Sequence, residues 1–169
     1  PLAHAVKWPI ALHAWPEEAV AATKSVIAQF VGAARLATAL GDSGDMFHAF
    51  VALPEQLRAS TQVDSLLTAN ILANASNLFV VGRGPGFPVA QEIALKFKET
   101  CAMHAEAYSA AEVMHGPLAL LHAGFPVLAL AARDASEPSM AAAAVSVPTT
   151  GITPSTAAES AGDRQPRSR

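Results

Sequence analysis

The chain has 169 residues, which is enough for one domain with an apolar core, and 51% of them are hydrophobic. The formal net charge of −3 gives no broad basic field, so we expect no nucleic-acid partner. The single cysteine cannot form a disulfide within the chain, which favours a reducing compartment. No signal peptide and no apolar run of membrane-spanning length are recognisable, so we predict a cytoplasmic protein without membrane contact.

The first part of the chain is predicted to be mostly helical. After a short helical turn, residues 8–13 have the composition of a strand, in which Pro9 favours an edge position. Pro16 and the acidic residues that follow it are typical of a first helical turn, which predicts a helix over residues 15–40. The turn-forming residues 41–45 then end that helix.

The middle of the chain is predicted to alternate between helix and strand. Its beginning has the pattern of two helices, with breaks near Pro54 and Ser60. Residues 78–81 have the length and the apolar composition of a strand, and a glycine-rich turn, residues 82–86, follows. A longer helix is predicted over residues 88–103.

Two lines of residues at helical spacing run along this longer helix. We expect the apolar line to face the core, and it consists of Val89, Ile93, Phe97 and Cys101. The other line places three charged groups on one side, at Glu92, Lys96 and Glu99. A strand, a glycine turn and a helix together present ligand groups at the carboxyl edge of a parallel sheet. We therefore expect Glu99 within about one helix diameter of the glycine turn.

The last part of the chain is predicted to hold a short helix over 109–114, a buried strand over 125–130 and a helix start at Glu137. Two strands joined through a helix predict a right-handed parallel crossover. The composition then becomes typical of disorder. The predicted division is 1–44 for the end of a first domain and a connecting helix, 45–144 for a partial second domain, and 145–169 for a disordered tail.

The small number of elements after residue 134 leads to the hypothesis that the chain is a fragment, with an altered reading frame after about Ala144. In a fragment, the apolar segments 79–81 and 127–130 would be uncovered sheet edges, which would favour self-association.

Four motifs in one order carry a resemblance to a known family. They are Gly82-Arg83-Gly84, then Ala94-Leu95-Lys96-Phe97-Lys98-Glu99, then His104-Ala105-Glu106-Ala107-Tyr108, and His115-Gly116-Pro117-Leu118-Ala119-Leu120. This stretch is similar to the second sugar isomerase (SIS) domain of the glucosamine-6-phosphate synthase family. The residues after Glu99 and after Tyr108 resemble more closely the SIS-type glucosamine-6-phosphate deaminases. The resemblance implies an α/β fold, a three-layer, flavodoxin-like parallel sheet flanked by helices, here incomplete.

The resemblance also implies catalytic residues. In the family, the glutamate of a Lys-x-x-Glu pair moves a proton between adjacent sugar carbons, and a histidine opens the sugar ring. These roles correspond here to Glu99 and His115, with Lys96 one turn before Glu99; the histidine acts across a subunit boundary, so a homodimer is implied for the full-length family. From spacing alone, a solvated ion pair between Lys96 and Glu99 would be the favoured interpretation, and the resemblance is what favours the catalytic one.

Two further segments are candidate substrate-binding segments. Residues 17–25 resemble the joint between the two SIS domains of the family, so Val20, Ala21 and Ala22 would lie beside the bound sugar. Taken alone, this segment is also typical of an ordinary alanine-rich helix start. Gly82, Arg83 and Gly84 could bind a phosphate through backbone N–H groups, or could form a structural turn between strand and helix. Neither a dinucleotide fingerprint nor a P-loop is present in this turn.

No metal or cofactor is predicted. The candidate ligands match no standard metal motif in their spacing, and they are His104, Glu106, Glu112, His115 and His122. Sugar isomerases of the resembled type need no metal. We expect Cys101 to be a packed small side chain, and His104 to fix the turn after the long helix.

Two functions follow from these residues. The first is a sugar-phosphate aldose/ketose isomerase of the fructose 6-phosphate and glucosamine 6-phosphate class, which aminates or deaminates its substrate. The second is a non-catalytic module that binds sugar phosphates. The resemblance places the main phosphate-binding loop in the first SIS domain of the family, and we recognise no such loop in these 169 residues.

Overall fold

The computed structural model describes residues 2–41 and 44–146. The chain divides into two compact units, Pro1–Val63 and Asp64–Arg169, which we call the N-terminal unit and the sheet unit. The tail predicted at 145–169 lies outside the described residues from position 147 onwards. No helix within the described ranges is long and apolar enough to cross a membrane.

Among its described residues, the N-terminal unit has the helices α1 (Leu2–Ala5), α2 (Lys24–Leu40) and α3 (Gly44–Ser60). The strand predicted over residues 8–13 is wrong, because these residues form no regular secondary structure. Their large side chains are exposed, with Trp8 at 79% and Ile10 at 58%. A strand needs a neighbour to pair its backbone groups, and the described residues of this unit supply none.

The long helix begins at Lys24 and not at position 15 as predicted, although its end at Leu40 is confirmed. Trp15 has a φ of 56°, which lies in the left-handed region and cannot continue a right-handed helix. The Glu17 carboxylate instead accepts hydrogen bonds from Ser25, at the second helical residue. This contact satisfies an otherwise unpaired N–H group and fixes the helix start there.

The predicted break near Pro54 is also wrong, because α3 continues through that residue to Ser60. Proline removes one helical hydrogen bond, but this helix has no buried residue, so water can reach the released carbonyl group. The predicted break at Ser60 is confirmed. There the Ser60 and Thr61 hydroxyls donate to the carbonyl oxygens of Leu57 and Arg58, and the Thr61 N–H group also donates to Arg58, which pairs the carbonyl groups of the last helical turn.

Up to residue 146, where the described part ends, the sheet unit combines a parallel sheet with four helices and a 3₁₀ turn. In chain order its elements are α4 (Leu66–Leu72), β1 (Asn77–Gly82), α5 (Gly86–Cys101), β2 (His104–Ser109), α6 (Ala110–Val113), the 3₁₀ turn (Pro117–Leu120), β3 (Val127–Leu130) and α7 (Glu137–Ser146). The strand order is β2-β1-β3, and both pairs are parallel. The predicted α/β fold with a parallel sheet flanked by helices is therefore confirmed.

The sequence analysis missed β2, which follows directly after α5. Its residues alternate between polar and apolar, and Ala105 is completely buried. Alanine is depleted in strands, so the pattern was weak, and His104 was expected to fix a turn. The structure places His104 at the start of the strand, opposite Asn77 of β1.

The core lies on both faces of β1. Leu78 and Val80 pack on one face with Ala90 and Ala94 of α5, and Ala105 of β2 joins the same cluster. On the other face, the cluster contains residues of β1, α6 and α7, namely Phe79, Val81, Ala110, Val113, Met140 and Ala143, together with Leu121. The expectation that residues 79–81 form an uncovered edge is wrong, since β1 is the central strand and is covered on both sides.

The apolar line predicted for α5 is only partly correct. Ile93 and Phe97 are half-buried against the core, but Val89 is 43% exposed and Cys101 is exposed. The residues that α5 buries completely are its alanines, because small side chains let the helix approach the sheet closely.

Candidate functional site

The three charged residues on α5 form one connected cluster. The Lys96 ammonium lies 3.0 Å from Oε1 of Glu92 and 2.8 Å from Oε2 of Glu99. The side chains retain 21% exposure at Lys96, 27% at Glu92 and 31% at Glu99. One cation therefore holds two carboxylates along a half-shielded side of the helix, which is more order than an isolated solvated pair would have.

The electrostatics of the cluster keep Lys96 charged. The hydrogen bond to Glu99 raises the pKa of Lys96 above its usual value, burial opposes this rise, and Glu92 adds to it. Oε1 of Glu92 is shielded from solvent and accepts no hydrogen bond from the described residues. Its ion pair with Lys96 offsets the loss of its contact with water. The sequence analysis placed Glu92 on this line by its spacing from Lys96, but did not select it as a site residue.

The glycine turn lies at the opposite end of α5 from this cluster. Gly86 begins the helix and Glu99 is in its last turn. At about 1.5 Å per residue, the two are about 20 Å apart along the axis, or nearly twice a helix diameter. The expectation that Glu99 lies within one helix diameter of the turn is therefore wrong. The reason is that α5 runs antiparallel to β1, so its last turn lies far from the glycine turn at its start.

The packing of the turn favours its structural reading. A Cβ atom at Gly82 would lie 2.5 Å from the carbonyl oxygen of Gly86. Gly84 has a φ of +52°, which side chains rarely adopt. Arg83 is half-buried between them. Both glycines are thus required for the chain to pass from strand to helix.

His115 follows a helix that packs on a different face of the sheet from α5, which carries Glu99. That helix is α6, which packs against the β1 face opposite to α5. The residue is exposed, and its imidazole makes no hydrogen bond, ion pair or ring contact with the described residues. The structure therefore does not bring His115 and Glu99 of one chain together.

Val20, Ala21 and Ala22 belong to the N-terminal unit, in a loop and not in the helix start that was predicted. Val20 is 87% exposed, whereas Ala21 is 7% exposed and anchors the loop. Glu17 closes this loop through its bonds to Ser25. The sequence analysis missed Glu17, because only the folded loop brings the two residues together.

The sequence spacing of the candidate metal ligands predicted no metal site. The structure shows in addition which of these side chains lie close together. Among residues 2–41 and 44–146, no group of three histidine, cysteine or acidic side chains could hold a metal. Glu106 instead accepts a hydrogen bond from the Tyr108 hydroxyl, and this bond raises the pKa of Tyr108 to about 12.

A groove of about 290 Å³ lies beside β2 and α5, lined by Gln91, Ala94, Lys98, Glu106 and Ala107. None of the predicted site residues lines this groove.

Comparison with known proteins shows which family this chain belongs to. The family model of the SIS domain matches residues 71–157, which is just over half of the chain. The chain belongs to the SIS domain family. The match includes β1, α5 and β2, and therefore the whole charged cluster.

Relatives of the SIS protein include glutamine–fructose-6-phosphate aminotransferases (isomerizing). The one from Streptococcus mutans is 37% identical over 130 residues, which cover 70% of this chain and 22% of the relative. The one from Pyrococcus horikoshii is 40% identical over 126 residues, covering 70% of this chain and 21% of the relative. This SIS chain thus spans about a fifth of the length of the curated relatives it matches.

Solved structures of other proteins agree with the fold. A protein from Silicibacter pomeroyi, described as a phosphosugar isomerase, superposes with a TM-score of 0.73 and 42% identity, over 79% of this chain and 41% of that one. The C-terminal domain of glucosamine-fructose-6-phosphate aminotransferase from Francisella tularensis gives a TM-score of 0.50 and 26% identity, over 74% of this chain and 31% of that one.

Proposed function

We propose that this SIS chain supplies part of the active site of a sugar-phosphate aldose/ketose isomerase that acts on fructose 6-phosphate or glucosamine 6-phosphate. The observation that carries the proposal is the Lys96 ammonium held between Glu92 and Glu99 on one side of α5. The relatives named above are isomerizing aminotransferases. The proposal covers amination and deamination within this class, and the cytoplasm is the proposed compartment.

Glu99 has the chemistry and the support that a proton shuttle needs. Aldose–ketose interconversion moves a proton between adjacent carbons through an enediol, and one carboxylate near both carbons can perform both transfers. Lys96 binds Oε2 of Glu99, which fixes the orientation of the carboxyl group. Oε1 of Glu99 accepts no hydrogen bond from the described residues, so it is the oxygen that would take the proton.

The ring-opening histidine would have to come from a second copy of the chain. Glu99 is carried by α5 and His115 follows α6, and these two helices pack on opposite faces of the sheet within one chain. We therefore propose a homodimer in which the exposed His115 of one copy reaches the sugar held by Glu99 of the other. Val20, Ala21 and Ala22 are proposed to contact a sugar phosphate through their loop. We assign the glycine turn, Gly82 to Gly84, a structural role, because it lies about 20 Å from Glu99.

The proposal is tested in the full-length protein that contains these residues. Glu99→Gln should lower kcat by about 100-fold or more, because it removes the proton shuttle. Binding of the sugar phosphate should remain measurable, since the side chain keeps its shape. The control is Glu55→Gln on α3, an exposed carboxylate paired only with Arg58 among the described residues, which should leave kcat unchanged.

Turnover that is unaffected by Glu99→Gln would refute the catalytic proposal. A complete wild-type protein that binds glucosamine 6-phosphate but does not interconvert it would support the alternative function, a sugar-phosphate-binding module.

A further inference from the structure

Residues 17–25 form a closed loop that leads into α2. The N–H group of Ser25 donates to Oε2 of Glu17 at 3.0 Å, and its hydroxyl donates to the same oxygen at 2.8 Å. Within the loop, the Thr23 hydroxyl donates to the carbonyl oxygen of Ala21 at 3.3 Å. Ala21 is buried while Val20, one residue earlier, is 87% exposed. The loop therefore has one anchored residue and one that it presents outwards.

Glu17 is the contact that closes this loop. The first turn of a helix has unpaired N–H groups, and Thr23, the residue before α2, makes no side-chain cap. Glu17 supplies the acceptor from eight residues away. The hydrogen bonds from the backbone and then the side chain of Ser25 lower the pKa of Glu17. A carboxylate is the stronger acceptor, so the contact is made by the ionised group.

We infer that Glu17 is a positioning residue for substrate binding: by holding Ser25 it keeps the loop in the form that presents Val20 and Ala22 to the sugar phosphate. The inference rests on the proposed function, since Val20 and Ala22 were assigned to the sugar there. Glu17 itself lies at the base of the loop and needs no contact with the substrate.

Glu18 provides a matched comparison. It carries the same carboxylate one position along the chain, but it is exposed and forms no hydrogen bond or ion pair with the described residues. Substitution of Glu18 removes the same charge from the same segment without opening the loop. A difference between the two positions therefore reports the contact to Ser25 and not the net charge.

The experiment uses NMR on the 169-residue chain, with glucosamine 6-phosphate as the probe. Glu17→Ala should accelerate hydrogen exchange of the Ser25 amide by about tenfold, because a hydrogen bond to a charged group is lost. The same variant should weaken probe binding by about tenfold, measured from the shifts of the Val20 and Ala22 amides. Glu17→Gln keeps an acceptor oxygen and should recover part of both effects, while Glu18→Ala should match the wild type.

Each outcome separates the inference from the function on which it rests. If the wild type binds the probe and Glu17→Ala binds it equally well, the inference is overturned and the proposed function stands. If the wild type shows no binding even at high millimolar probe concentrations, the inference is overturned, while the proposed function is decided separately by the turnover of Glu99→Gln. Unchanged Ser25 exchange in Glu17→Ala also overturns the inference. If Glu17→Ala does not fold, Glu17→Gln decides by the same two measurements.

Discussion

At the scale of single residues, the backbone around Gly82 leaves no room for a side chain. A Cβ atom there would meet the carbonyl oxygen and carbon of Gly86 at 2.5 and 2.7 Å, and backbone atoms cannot rotate away. Gly82→Ala should therefore lower the free energy of unfolding by about 1–3 kcal/mol, measured by urea denaturation. Gly44→Ala is the control, because a Cβ atom at Gly44 meets nothing within 4 Å. A loss for Gly44→Ala as large as that for Gly82→Ala would contradict the steric explanation.

Tyr108 allows a direct titration, because it is the single tyrosine of the chain. The hydrogen bond to Glu106 raises its pKa to about 12, so the folded protein holds the phenol proton more tightly than the unfolded chain. The resulting stabilisation is complete below about pH 10 and is lost as the pH rises towards 12. Phenolate absorbance should have a midpoint near pH 12 in the folded protein, and Glu106→Gln should move it towards 10. A wild-type midpoint near 10 would show that the bond is absent in solution.

At the scale of elements, α5 connects the core to the candidate site. Its alanines pack against β1, which fixes the helix, and its charged line lies on another side of the same helix. The helical spacing of the residues predicted the helix and both lines. It also led us to expect that the larger apolar side chains would be the buried ones. The sheet selects the alanines because close approach requires small side chains.

Substitutions along α5 test this packing. Ala90 is completely buried, so Ala90→Leu should destabilise the sheet unit by about 1–3 kcal/mol through overpacking. Cys101→Ser should change the free energy of unfolding by less than about 0.5 kcal/mol, because Cys101 is exposed. Both are measured by chemical denaturation with helix content followed by circular dichroism. The assignment of buried residues is wrong if Cys101→Ser is the more damaging change.

At the scale of the whole molecule, burial is concentrated in the sheet unit. Of the described hydrophobic residues that are buried, Ala21 alone lies in the N-terminal unit. Neither α2 nor α3 contains a buried residue, and apolar side chains such as Phe30 and Phe47 remain about half exposed. Within the described residues, β2 and β3 each pair with β1 alone, so each keeps one unpaired edge.

These exposed surfaces predict how the 169 residues behave by themselves. Unpaired strand edges and exposed apolar helices should cause self-association, which sedimentation velocity would detect. Sugar-phosphate binding should be weak and turnover negligible, because a carboxylate without a well-oriented substrate loses about 7–11 kcal/mol of barrier reduction. Robust interconversion of fructose 6-phosphate and glucosamine 6-phosphate by a monomer would contradict this prediction.

The sequence by itself determined the elements whose pattern is strong and local. β1, α5 and the end of α2 follow from apolar runs, helical spacing and glycine turns, and the order of four motifs identified the SIS resemblance that the family match confirms. The Lys96 contacts to Glu92 and Glu99 follow from spacing on one helix, since residues three and four apart are neighbours there.

Only the tertiary structure decided what depends on contacts between distant segments. Residues 8–13 form no strand, because no described strand lies beside them to pair with. In contrast, β2 forms despite its alanines because it pairs with β1. The antiparallel return of α5 separated Glu99 from the glycine turn, and the two faces of the sheet separated Glu99 from His115. Spacing along a chain fixes neighbours within one helix, but the distance between elements depends on how they pack.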